Sequence, residues 1–154
     1  MSETRIQRSA LVSYSAEAMF DLVTDIERYP EYMDGCVGAE VLSSESNEVV
    51  ARLDLKKAGI RQSFVTRNRQ HYPESIELSL EEGPFKEFSG VWRFLPLGDL
   101  GSKVSLEINF VLSHRLLSKP AQTLFTSVAN NLVTSLTERA VALYGDATRD
   151  KQAQ

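Results

Sequence analysis

Gly83-Pro84-Phe85-Lys86-Glu87-Phe88-Ser89-Gly90-Val91-Trp92-Arg93-Phe94 decides how the rest of the chain is read. The Gly-Pro pair is a turn signal, and the residues after it read as a strand. Successive strand side chains point to opposite faces, so Phe88, Trp92 and Phe94 share one face with Gly90. One strand therefore predicts an aromatic wall with a flat spot at the glycine. No catalytic motif accompanies it, which points to a protein that holds something apolar rather than one that cuts or oxidises.

The same period of two extends on both sides of this strand. Strands are predicted over 4–14, 36–45, 48–57, 60–71, 74–82, 86–95 and 103–113. The turns between the last six carry Ser46-Asn47, Ala58-Gly59, Tyr72-Pro73, Gly83-Pro84 and Gly98 to Gly101, residues suited to tight backbone reversals. Leu53 and Leu55 share a face, as do Ile76, Leu78 and Leu80, and again Val104, Leu106, Ile108, Phe110 and Leu112. Such alternation predicts an antiparallel sheet with one wet and one dry face.

Two helical regions flank this run. Ser15 is placed to cap a short helix, with Glu17 in its first turn and an apolar face of Met19, Phe20, Leu22, Val23 and Ile26. Proline is welcome in a first turn, so Pro30 is expected to start a second short helix through Met33, closed by Asp34-Gly35. After Lys119-Pro120, an apolar stripe of Ala121, Leu124, Phe125, Val128, Leu132, Leu136, Ala140, Leu143 and Tyr144 predicts one long helix. The expected fold is thus α+β, a curved antiparallel sheet of about seven strands wrapped around a long C-terminal helix. The two short helices after the first strand would close one end of the gap. Residues 1–146 read as a single domain and 147–154 as a flexible tail.

Composition narrows the function. The chain has 154 residues, 42% hydrophobic and 25% charged, which is ordinary for one globular domain. Its net charge of −4 argues against broad nonspecific nucleic-acid binding. Cys36 is the only cysteine, so neither an internal disulfide nor a cysteine-based zinc site is expected. The N-terminus lacks the apolar core of a secretory signal, and no apolar run nears the about 18 residues of a membrane span. A cytoplasmic protein, peripheral at most at the inner membrane, is the expectation.

Two motifs in order resemble the coenzyme Q-binding START-like family of the polyketide cyclase/START superfamily. The first is Ser15-Ala16-Glu17-Ala18-Met19-Phe20-Asp21-Leu22-Val23-Thr24-Asp25-Ile26-Glu27-Arg28-Tyr29-Pro30-Glu31-Tyr32. The second is Gly83-Pro84-Phe85-Lys86 with Gly90, Trp92 and Phe94. Val104 to Phe110 fits the strand that follows in that family, and the resemblance runs from Arg8 to about Tyr144. Phe88 stands where leucine is more usual, and Tyr32 where phenylalanine is common. The resemblance implies a helix-grip fold without required cofactor. It also implies a ligand such as ubiquinone or another polyprenyl quinone, carried without catalysis in support of respiration. Bacterial relatives in the same family include ribosome association toxins, which implies the large ribosomal subunit as an alternative partner. The superfamily's polyketide cyclases and dehydratases give a third possibility, an enzyme.

Candidate residues follow from these readings. The cavity wall would be Leu53, Leu55, Phe64, Leu78, Phe88, Trp92, Phe94, Leu124, Phe125, Val128 and Leu132, unless these are ordinary core. Gln62, Thr66 and Asn68 alternate onto the same side as Phe64. They would hydrogen-bond a ligand head, one another, or water. Tyr29, Pro30, Tyr32 and Met33 fall in the expected lid, either a gate or a rigid plug. Arg61, Arg67 and Arg69, with Lys56 and Lys57, form a basic stripe facing ribosomal RNA or lipid headgroups in a transient membrane contact. The alternative is a solvated face balanced by Glu77 and Glu81. Glu81 and Glu82 face opposite ways and cannot act as an acid–base pair. Cys36 reads as a small buried residue, and His114 as the end of the last strand.

Overall fold

The computed structural model describes residues 3–113 and 119–145. His114 and the expected tail 147–154 lie outside the described residues. Seven strands, β1 (Thr4–Val12), β2 (Cys36–Glu45), β3 (Glu48–Lys57), β4 (Ile60–His71), β5 (Ser75–Glu82), β6 (Phe85–Pro96) and β7 (Ser102–Leu112), form one sheet. Its order is β1-β7-β6-β5-β4-β3-β2, with every neighbouring pair antiparallel. β1 and β2 are consecutive in sequence yet occupy opposite edges. The segment joining them therefore crosses the concave side and carries the two short helices.

The first of these is α1 (Ala16–Thr24). The Ser15 hydroxyl accepts the Ala18 N–H at 3.1 Å, capping the helix as the sequence predicts. Met19, Phe20, Leu22 and Val23 form its buried face. The second departs from expectation. It is a 3-10 helix over Ile26–Glu31 with Pro30 inside rather than at its start. The Asp25 carbonyl at the end of α1 already accepts the Arg28 N–H, so the chain keeps winding in a tighter form without a new nucleus.

Sheet curvature has local causes. Pairing shifts register between Cys36 and Gly38, between Val41 and Ser43, at Val65/Thr66 and between Phe85 and Glu87. Each irregularity bends its strand and raises the twist. The bent sheet wraps α2 (Lys119–Tyr144), which buries Ala121, Leu124, Phe125, Val128, Ala129, Val133, Leu136 and Ala140. Leu143 and Tyr144, expected on the buried stripe, are exposed. The last helical turn lies beside Tyr14, beyond the end of edge strand β1, and the Tyr144 ring packs 5.5 Å from the Tyr14 ring instead. Among the described residues no helix is long and apolar enough to cross a membrane.

Candidate functional site

A cavity of about 90 Å³ remains between the concave sheet, α2 and the crossing segment. Most of the expected wall lines it: Leu53 and Leu55 from β3, Phe64 from β4, Leu78 from β5, Phe88 and Trp92 from β6, and Phe125, Val128 and Leu132 from α2. Phe94 and Leu124 do not. Phe94 is buried against the Phe20 ring at 5.5 Å and stacked on Trp92, so it belongs to the core beneath α1. Leu124 is rotated by about 100° around the helix from Phe125 and is fully buried elsewhere.

Phe85 was missed, and the reason is local. Phe88 pairs with Phe110, Glu87 with Val111, but Phe85 with Leu112, leaving Lys86 as an extra residue. The bulge turns Lys86 out and brings Phe85 to the cavity, where strict alternation would have done the reverse. Its ring lies 4.8 Å from Phe125 and 5.1 Å from Phe88, at the centre of an aromatic cluster with Phe64 and Phe110. The flat spot at Gly90 is also not open space. A Cβ there would meet Leu78 Cδ1 at 3.1 Å and Ile108 Cγ1 at 3.4 Å, so neighbouring aliphatic side chains already fill it. Ile76, Ile108 and Phe110 were legible as dry-face residues and complete the wall. Alternation alone does not separate wall from core.

One strand supplies most of the cavity's polarity. Thr66 and Asn68 are buried and line it, joined by half-buried Gln70, which the sequence reading passed over. Thr66 Oγ1 donates to Asn68 Oδ1 at 2.8 Å, leaving Asn68 with amide N–H donors. Gln62, half-buried, pairs with Leu55 and shares its face, but it does not line the cavity. Among the described residues the lining contains two ionisable side chains, Tyr29 and Cys36. Burial pushes the Cys36 thiol up to about 11, and its Sγ donates to the Gly38 carbonyl at 3.4 Å. Burial also raises the Tyr29 phenol, whose hydroxyl donates to the Val23 carbonyl. Both are neutral at pH 7, so neither is tuned for general acid–base work there.

The expected lid divides into two sides. Tyr29 and Met33 reach the cavity, whereas Pro30 and Tyr32 do not. Two cations fasten this segment down. Arg139 on α2 donates to Glu31 at 2.9 Å, and its guanidinium lies 5.0 Å from the Tyr32 ring centroid. Lys57 on β3 bridges Asp34 at 3.1 Å and Ser127 of α2 at 2.8 Å. At Gly35, with φ +89°, an added Cβ would sit 2.7 Å from Val128 Cγ2. Only glycine lets the turn come this close to α2. Among the described residues, the Tyr32 hydroxyl and Arg139 Nε are buried without a hydrogen-bond partner, an uncompensated desolvation cost.

The basic stripe is largely neutralised. Arg67 pairs with Glu48 at 2.7 Å and with Glu81 at 2.5 Å, Arg69 lies 3.8 Å from Glu48, and His71 lies 3.5 Å from Glu77. These contacts hold the Arg67 guanidinium more firmly protonated and pull the Glu48 carboxyl down. Lys57 leaves the stripe for the lid. Lys56 and Arg61 sit opposite each other on β3 and β4, and neither forms an ion pair among the described residues. Glu81 is committed to Arg67, while Glu82 is exposed.

Known proteins share this fold. Residues 12–137 match the family described as polyketide cyclase / dehydrase and lipid transport. A ribosome association toxin RatA of Vibrio cholerae is 42% identical over 142 residues, covering 92% of this chain and 99% of that protein. The mitochondrial coenzyme Q-binding protein COQ10 homolog B of Xenopus laevis is 25% identical, covering 89% of this chain and 58% of that protein. The crystal structure of the Zhui aromatase/cyclase from Streptomyces superposes with a TM-score of 0.75 at 19% identity, covering 91% of this chain and 96% of that one. With its helix-grip architecture and the match across most of its length, the chain belongs to the polyketide cyclase/START-like family.

Proposed function

We propose that this chain binds a lipophilic ligand without transforming it, and that the ligand is ubiquinone or a related polyprenyl quinone held for use in respiration. The observation that carries this reading is the lining itself, aliphatic and aromatic on every side, with Thr66, Asn68 and Gln70 as a polar strip on β4. An isoprenoid tail gains about 25 cal/mol for each Å² it buries. Asn68 N–H groups complement quinone carbonyl oxygens, which only accept hydrogen bonds. A cavity of about 90 Å³ is small against the about 300–1,000 Å³ of typical ligand pockets, so loading a polyprenyl quinone calls for the lid or the half-buried side chains Leu53, Leu78 and Phe88 to move. The quinone is cargo in this reading, not a cofactor. Trp92 is the only tryptophan, so titrating the protein with a short-chain ubiquinone should quench its fluorescence saturably. Unsaturable quenching, equal to that of free tryptophan, would remove the quinone from the cavity.

A second reading rests on the 42% identity to the protein named ribosome association toxin RatA. Here the chain binds the large ribosomal subunit and blocks subunit joining, and unpaired Lys56 and Arg61 are its outer contact. Co-sedimentation with large subunits should then weaken with salt and in Lys56→Glu/Arg61→Glu. Unchanged sedimentation in that variant would remove these residues. A cyclase reading is weaker, because among the described residues the cavity's ionisable groups are Tyr29 and Cys36, whose hydroxyl and thiol are engaged by the Val23 and Gly38 carbonyls rather than aimed at a ligand.

A further inference from the structure

Neither the cavity nor the lid explains the turn between β6 and β7, which places leucines in water. Leu95 is 57% exposed and Leu100 81% exposed, with Leu97 half-buried between them. Leu11, 74% exposed, lies in the same corner, because Leu11 pairs with Lys103 and Lys103 pairs with Leu95 across the outer face. A lone exposed leucine is ordinary, but three exposed leucines and a half-buried one at a single corner mark an interaction surface. Arg93 and Lys103 rise from the two strands that carry the turn. Both are exposed, and neither forms an ion pair among the described residues. The carboxylates nearby are Asp99 in the turn, Glu74 in the adjoining β4–β5 turn, which is joined to β6 by the Phe94 N–H donating to the Glu74 carbonyl, and Glu107, which shares an outer-face groove with Arg93, Lys103 and Arg8 and lies 3.9 Å from Arg5.

The choice of partner follows from size and charge. A stable protein interface takes about 800 Å² and about 20–30 residues from each side, more than a five-residue turn with its flanking Leu95 and Leu11 offers. A bilayer accepts a few apolar side chains at the acyl boundary, with basic side chains reaching the headgroups beside them. Arg93 and Lys103, unpaired at the base of the turn, supply the charge complement of anionic headgroups. We propose that this corner docks the protein on an anionic lipid surface, with Leu95, Leu97 and Leu100 inserted and Arg93 and Lys103 at the phosphates. The inference deepens the quinone reading, since a carrier of a bilayer-dissolved ligand must touch the bilayer. It rests on different residues, so the two can fail separately.

The test is sedimentation of the full chain with quinone-free vesicles of phosphatidylethanolamine, with and without phosphatidylglycerol. Wild-type protein should pellet with the anionic vesicles, less so as salt rises. Leu95→Ser/Leu100→Ser and Arg93→Glu/Lys103→Glu should each lower the partition coefficient about tenfold or more, with circular dichroism and Trp92 quenching by quinone unchanged. Wild-type protein left in the supernatant, or double variants that pellet like wild type, would overturn the proposal. Large-subunit binding lost in the leucine variant, without vesicle binding by wild type, would also overturn it and assign the corner to the ribosome. Normal vesicle docking by a protein that binds no quinone would leave this surface standing and sink only the quinone reading.

Discussion

Arg139→Met should speed ligand exchange about fivefold while leaving the fold nearly as stable. The arginine side chain is 18% exposed and its partner Glu31 48% exposed, so this ion pair is partly screened and contributes about 0.2–1 kcal/mol. Its guanidinium over Tyr32 at 5.0 Å adds about 0.5–1 kcal/mol. The orphaned Arg139 Nε takes part of that back, because methionine buries no unsatisfied donor. The net loss of closure is about 1 kcal/mol, or about fivefold in the open population. Methionine keeps the apolar stem that packs on the lid, so Tm should fall by no more than about 2–4 °C. The assay is stopped-flow Trp92 fluorescence as bound quinone is displaced into excess vesicles. Arg28→Met is the control, since Arg28 also pairs with Glu31, at 3.2 Å, but its partners lie within the lid segment. Faster exchange in Arg139→Met alone supports a latched lid. Equal rates in wild type and Arg139→Met, or equal acceleration in both variants, would refute the reasoning.

Further expectations bear on the wall and the thiol. Phe85→Ala should cost about 3–5 kcal/mol in denaturant unfolding, whereas Lys86→Ala should stay within about 0.5 kcal/mol; the reverse order would contradict the bulge. Trp92→Asp should abolish quinone retention, and half-buried Leu132→Asp tests the same wall if Trp92→Asp fails to fold; a folded variant of either with wild-type retention would contradict the assignment. Cys36 should alkylate slowly at pH 8, and faster as pH approaches its raised value of about 11. Because burial favours the neutral thiol, its contribution to stability is full below the ordinary thiol range and is lost as pH rises through about 11. Rapid labelling of folded protein at pH 7 would contradict the buried thiol.

The strands were legible because alternation and turn residues agree along most of the sheet, and most predicted ends fall within a residue of the observed ones. The exceptions have physical causes. Lys86 bulges out, so counting by twos from Phe88 misplaced Phe85. Pro30 reads as a helix start, yet the preceding helix already supplies the carbonyl that keeps the chain winding from Ile26. Phe94 and Trp92 share a face and a period, but α1 covers one and leaves the other to the cavity. That difference lies in long-range packing, not in any local pattern. For the arginine stripe the structure matches the alternative of a balanced face: Glu81 pairs with Arg67 as cross-strand reading allows, and Glu48, from the other flanking strand, is the partner that reading did not name. Arg139 was invisible as a latch because its partners lie more than a hundred residues away.

Whether an apolar ligand sits between sheet and α2 is answered by organic extraction of natively purified protein from quinone-replete cells, followed by mass spectrometry. A polyprenyl quinone approaching one per chain is expected, lost in a folded Leu132→Asp variant. Protein that carries no quinone from such cells, with Trp92 unquenched on adding it, would rule out quinone as the ligand.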